Sequence, residues 1–284
     1  MLWLGVLLAL VTSVSWAAGN VLTQKVGKLI GPPRAMIWSL GAGAVLAAPC
    51  ALLFDARPAP LTSTVAAWAA AAALAGVLAY VGLFFALTNE GLTVAVPIVS
   101  AWPLVAGVVS VALLGEVLLG SQILAAAAVL LGVILVALPR PVVGKTPSPW
   151  ALRAAFGSAL GFGVMVPAMG RIAPATGAFG ATVVVFVLGI LLSLAVGKFA
   201  AVDLRAPPRA AWGLVLATGA VETIGFVALV FARRFAPMAL VAPVASLAST
   251  LTVLYAWIVL GERPRRLAIA GALLSGAGLA VLAA

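Results

Sequence analysis

One acidic residue stands out by its surroundings. Glu222 lies near the middle of an uninterrupted apolar stretch from Trp212 to Ala232. On insertion scales a charged side chain at the centre of a membrane helix costs roughly 2.5–3.5 kcal/mol. A carboxyl placed there is a candidate to bind a cation or carry a proton; the structural alternative is a protonated Glu hydrogen-bonded to a neighbouring helix. Thr218 and Gly225 stand at i−4 and i+3 from it, so one helical face carries the acid, a hydroxyl and a gap. Tyr80, near the middle of another apolar stretch, is the candidate to present a hydroxyl to this acid, although Tyr in a span also serves at membrane interfaces.

Three more groups bear on a binding site. Trp16, Asn20 and Gln24 are spaced by four and form one helical stripe. A polar stripe facing lipid is costly, so it is expected to face protein or water. Trp16 and Asn20 then line a substrate path, or Asn20 ties its helix to a neighbour through a side-chain bond, typically worth under about 1–2 kcal/mol. Two further stretches combine prolines with hydroxyls: Pro97, Ser100, Trp102 and Pro103, and Pro243, Ser246, Ser249 and Thr250. A proline removes a helical hydrogen bond and frees a carbonyl. Such breaks are tolerated where a cavity or a neighbouring group satisfies them. Pro97 and Pro243 are candidate gating positions, with Ser100, Trp102, Ser246, Ser249 and Thr250 as candidate substrate contacts. The structural alternative is a kink whose Ser bonds back to its own helix. Glu116 and Glu262 close apolar runs and are expected to cap the following helix or pair with nearby basic residues.

Other chemistries find no support. There is no His, no metal-ligand cluster, no nucleotide-binding glycine loop with a Lys, and no Ser/His arrangement. No cofactor, no ATP-driven step and no enzymatic activity is expected. The single cysteine, Cys50, lies in an apolar run and cannot form an internal disulfide.

The elements that position these residues are membrane helices. Of 284 residues, 65% are hydrophobic and 8% charged, against roughly 25% charged in soluble domains. A bilayer accounts for the excess, because lipid-facing residues are apolar as well as buried ones. The net charge of +10 sits in short breaks between apolar runs, so membrane orientation accounts for it better than nucleic acid does. Spans of about 20 residues suffice to cross. Ten are expected, at 3–24, 35–54, 64–88, 93–114, 121–138, 150–169, 178–198, 211–231, 238–260 and 266–283. The first has no basic flank before it and reads as a retained helix rather than a signal peptide.

The chain repeats at an offset of 146. Pro97 falls on Pro243, Ser100 on Ser246, Leu114-Gly115-Glu116 on Leu260-Gly261-Glu262, and Gly132 on Gly278. The offset also sets Lys25 on Arg171, Trp16 on Phe162, Tyr80 on Phe226 and Gly76 on Glu222. Residues 1–138 then form one five-helix repeat, 139–149 a polar, Pro-rich linker, and 150–284 a second repeat. Five is odd, so the second copy enters from the opposite side. The expected fold is all-α and integral to the membrane: ten transmembrane helices as a 5+5 inverted repeat, with a binding site near the midplane between halves. At that level the halves differ, one offering Gly76 and the other Glu222. Small residues at Gly157 and Gly161 predict close helix packing.

Loop charges set an orientation. Twelve of the 16 basic residues fall after the odd-numbered spans; the other face holds Arg57, Arg171, Arg233 and Arg234. The positive-inside rule puts the twelve in the cytoplasm and both termini outside.

The pattern resembles the drug/metabolite transporter superfamily, specifically its ten-helix exporters with two EamA domains. The resemblance rests on Ser15-Trp16-Ala17-Ala18-Gly19-Asn20 followed by Lys25. It rests also on Leu-Gly-Glu closing the fourth and ninth spans, with Gly132 and Gly278 sixteen residues after each Glu. It implies a secondary carrier of the inner membrane working by alternating access, often exporting amino acids or related metabolites. It also implies that spans 1, 3, 4, 6, 8 and 9 surround the cavity while 5 and 10 pack outside. The partners expected are a small-molecule substrate, the lipid bilayer and protons, with no nucleic acid, in a monomer or homodimer. The alternative is a flippase for a lipid-linked head group, which predicts a lateral opening lined by basic residues.

Overall fold

The computed structural model describes residues 2–55, 62–90, 92–137, 148–199, 203, 205–260 and 266–283. Among these residues all regular structure is helical. The helices are α1 (Leu2–Ile30), α2 (Pro32–Phe54), α3 (Ser63–Glu90), α4 (Leu92–Val99), α5 (Trp102–Leu114), α6 (Gly120–Ala137), α7 (Pro149–Phe199), α8 (Trp212–Ala232), α9 (Met238–Ala245), α10 (Ala248–Leu260) and α11 (Arg266–Ala283). Among the described residues five helical stretches are long and apolar enough to cross a membrane: Leu2–Ile30, Pro32–Phe54, Ser63–Glu90, Pro149–Ala195 and Arg209–Ala232. The linker at 139–147, the basic residues Arg57, Arg140, Lys145, Arg263 and Arg265, Glu262, and the side chains of Pro97 and Lys198 lie outside what is described.

Local chemistry sets the boundaries. Gly31, at φ 86°, turns the chain between α1 and α2, and Pro32-Pro33 opens the new helix where a missing N–H costs nothing. The 51 residues of α7 are two helices in series: Gly177, at φ 79°, bends the chain between a first arm ending at 176 and a second beginning at 178. The stretches expected as single helices at 93–114 and 238–260 are each broken. The first break falls at Ser100-Ala101, just before Pro103, and the second at Ser246-Leu247, just after Pro243. Ser100 and Ser246 stand 146 positions apart, so the breaks repeat where the sequence does.

Small residues let the helices approach. Gly82 of α3 lies against the backbone of Ala154 and Ser158, and Gly161 of α7 against that of Ala75 and Ala79. The packing expected at Gly157 and Gly161 is therefore made with α3, through backbone at Gly161 and through the Leu78 side chain at Gly157. At the α6–α11 seam, Gly132 meets Gly271 and Ser275, while Gly278 meets Ala125 and Val129. Residues 125 and 129 are the 146-offset counterparts of 271 and 275, so one contact is made twice. Lipid-facing positions are apolar too: Val45, Leu52, Leu124 and Leu273 are each more than 70% exposed.

Buried hydroxyls hold α1 to the second half. Thr12 Oγ1 donates to the Gly225 carbonyl at 3.0 Å, and Ser13 Oγ to that of Val244 at 2.7 Å. Interhelical bonds of this kind average about 0.6 kcal/mol in a membrane protein. Ser13→Ala should therefore lower stability by about 1 kcal/mol or less, read as a small drop in the melting temperature of the detergent-solubilised protein. A loss several times larger would mean that the α1–α9 contact depends on this bond.

Candidate functional site: a cavity around Glu222

Two helix breaks and four helices meet around one cavity of about 430 Å³, its open mouth included. Trp16 and Asn20 come from α1, Leu83 from α3, Val99, Ser100 and Trp102 from the α4–α5 break, Phe162 from the first arm of α7, Glu222 from α8, and Ser246 and Ala248 from the α9–α10 break. Spans 1, 3, 4, 6, 8 and 9 thus contribute to its lining, while α6 and α11 pack on one another.

Among the described residues Glu222 is the one ionisable group in the cavity lining, and it is only 4% exposed. Its Oε2 accepts a hydrogen bond from the Tyr80 hydroxyl at 3.3 Å. Its Oε1 lies over Gly19, where an added Cβ would crowd it. So Tyr80 does reach the acid, as a partner behind the wall rather than as part of the lining. Thr218 turns its hydroxyl to the Leu214 carbonyl of its own helix.

The wall is aromatic. The Trp16 ring lies 5.7 Å from Trp102, 6.3 Å from Phe162 and 4.9 Å from Phe226. Tyr80 stands 5.3 Å from Phe162 and 6.2 Å from Phe226, with Phe186 behind at 6.0 Å. Offset- and edge-packed rings at these separations attract one another. The Trp16 indole Nε1 is buried with no hydrogen-bond partner. Sequence reasoning points to Trp16, Trp102 and Tyr80 but misses Phe162 in the lining and Phe186 and Phe226 packed behind it. A signal exists for two of them, since Phe162 and Phe226 are the offset counterparts of Trp16 and Tyr80.

The remaining candidates divide. Asn20 and Ser100 line the cavity, and Asn20 Nδ2 also reaches Thr252 Oγ1 of α10 at a long 3.5 Å. Ser246 lines it while donating to the Pro243 carbonyl at 2.6 Å. Pro243 is buried within α9. Ser249 and Thr250 are not part of the lining: Ser249 spends its hydroxyl on the Ser246 carbonyl at 3.0 Å, and the Thr250 hydroxyl is buried without a partner. The Ser249 hydroxyl thus serves the helix break instead of the cavity.

On α1 the cavity is lined by Trp16 and Asn20; nearer the Gly5 end of that helix, packing and two carboxylates tie the halves together. Gly5 sits against Ala232 and Ala236. Glu116, just after α5, accepts from the backbone N–H groups of Met238 and Ala239 at 3.1 and 3.0 Å, capping α9. It also pairs with Arg233 at 3.3 Å, whose guanidinium passes over Gly170 and donates to the Pro167 carbonyl. Of the two roles expected of Glu116, the pairing with a basic residue is met by Arg233, while the following helix is capped otherwise, Gln122 Oε1 accepting the Leu119 N–H. Asp55, after α2, caps the second arm of α7 through Ala178 and Gly180 at 3.1 and 2.7 Å. Both acids reach from the first half to helix N-termini of the second.

The sequence profile of the EamA-like transporter family matches the chain twice, over residues 3–138 and 149–284. No curated protein matches. Among 28 solved chains that match, one crystal structure superposes with a TM-score of 0.72 at 19% identity, covering 98% of this chain and 95% of that one. At that identity the likeness speaks for the fold. The family profile spans nearly all of the chain, its helices are apolar enough for a bilayer, and a cavity opens among them: the protein is a multi-pass membrane transporter belonging to the EamA-like family.

Proposed function

We propose that the chain is a secondary carrier that moves a small polar or amphipathic metabolite, an amino acid or an analogue of one, by alternating access, with Glu222 coupling transport to protons. The observation that carries this is one buried carboxylate in a cavity lined by both halves, hydrogen-bonded to Tyr80. A group so placed exchanges its proton for a cationic substrate only when the cavity admits one.

A ten-crossing architecture built as a 5+5 inverted repeat, with residues 1–138 and 150–284 as its halves, supports that cycle. In favour of it stand the repeated breaks at Ser100 and Ser246, the repeated glycine contacts of α6 with α11, and the meeting of offset-related rings in the cavity wall. The conformation fits one stage of such a cycle, with the Glu116–Arg233 end shut. Export across the inner membrane follows the family resemblance, and the loop charges favour both termini outside. A reporter on the C-terminus active only in the cytoplasm would reverse that orientation. The described cavity lining offers no basic residue to an anionic head group, which weighs against the flippase reading.

The test is uptake into proteoliposomes under an imposed proton gradient, with a panel of radiolabelled metabolites. Gradient-driven accumulation of at least one compound is expected. Absence of uptake across the panel overturns the carrier reading.

A further inference from the structure

Resting on the carrier part of that reading, and narrowing its substrate from amino acids to their decarboxylated analogues, we infer that the cavity selects a monocationic amine with a flat apolar body over the zwitterion or the acid of the same shape. Three observations converge. First, Glu222 alone among the described lining residues ionises, and that lining carries no Lys or Arg. A substrate carboxylate would enter without a counter-charge and lose its hydration for nothing. Geometry sharpens the point. In an α-amino acid the carboxylate sits on the carbon that bears the ammonium. Placing the ammonium on Glu222 holds the two carboxylates about 5 Å apart, where like charges in a poorly solvated site repel.

Second, the acid is half engaged. Tyr80 takes Oε2, while Oε1 lies over Gly19 with no protein donor on it among the described residues. One oxygen is thus left to accept an N–H from the ligand.

Third, the wall suits a cation with a planar body. Trp16, Trp102 and Phe162 line the cavity. Ring faces attract a cation within about 6 Å of their centroids, Trp most strongly.

Tryptamine, tryptophan and indole-3-propionate share one ring system and differ in charge, so they form the test. Binding to the purified full chain in detergent is measured by isothermal calorimetry, with thermal shift as a second readout. Tryptamine should bind at least about tenfold more tightly than either relative. In Glu222→Gln the preference should collapse, while Glu222→Asp, which keeps the charge, should retain it. Equal binding of tryptophan, tighter binding of indole-3-propionate, or no binding of any of the three overturns the inference. The carrier reading fails separately, only if the metabolite panel shows no uptake.

Discussion

Glu222→Gln should abolish the pH dependence of transport and cut proton-driven uptake at least tenfold while leaving the fold intact. The substitution keeps the shape of the side chain and a hydrogen-bonding atom for Tyr80, which reaches Oε2 at 3.3 Å. It removes the proton and the charge. A hydrogen bond to a charged group is worth about 1.5–3 kcal/mol, which corresponds to roughly ten- to a hundredfold in rate or affinity. Folding is spared because an ionisable group deep in a span carries an insertion cost that an amide relieves in part. The check is uptake in proteoliposomes across a range of pH, beside the melting temperature of each variant. Tyr80→Phe should be milder: it leaves the carboxyl able to carry a proton, so the pH profile moves but persists. A Glu222→Gln protein whose uptake still follows pH would remove Glu222 from the coupling step and leave it a structural hydrogen-bonding group.

Legibility in the sequence follows a physical divide. The helix positions are legible because apolar runs of about 20 residues between Gly, Pro and charged breaks fit little besides membrane spans. Glu222 and Tyr80 are legible because a polar group in such a run is costly and must be satisfied. Phe162 and Phe226 are not, since in a membrane protein a Phe lining a cavity or packed behind its wall and a Phe facing lipid look alike in sequence. Only their offset from Trp16 and Tyr80 marks them. Ser249 and Thr250 look like cavity groups because hydroxyls near a proline serve either a site or a break, and composition does not separate the two. The clamps by Asp55 and Glu116 are hidden for a different reason. Each acid ends a helix, so local capping is the natural expectation, yet their partners lie about 120 residues away. Capping by a distant acid leaves no local spacing to recognise.

The second large effect concerns the closed end. Glu116→Ala should destabilise the protein by about 3 kcal/mol or more, because removing one partner strands a partly buried charge and uncaps a helix. The magnitude rests on burial: the Arg233 and Glu116 side chains are only 18% and 12% exposed, so solvent screens the pair weakly. Glu116 also takes two N–H groups from the first turn of α9, and these lose their acceptor together. A structural cap would show only as lost stability. A latch would also let the closed end open. Ala236, buried against Gly5, reports on this when replaced by Cys in a Cys50→Ser background. Maleimide labelling at that position should accelerate at least about tenfold in Glu116→Ala, the rate change expected when about 1.4 kcal/mol of closure is lost. The double variant Glu116→Ala/Arg233→Ala separates the two causes. It removes the stranded cation, so stability should recover in part, with a coupling of about 0.5–3 kcal/mol between the sites. Labelling should stay fast, because the clamp on α9 is still missing. If labelling returned to the wild-type rate in the double variant, the stranded Arg233 would be the cause, and closure would rest on the packing of Gly5 and on the Asp55 clamp, which neither substitution touches.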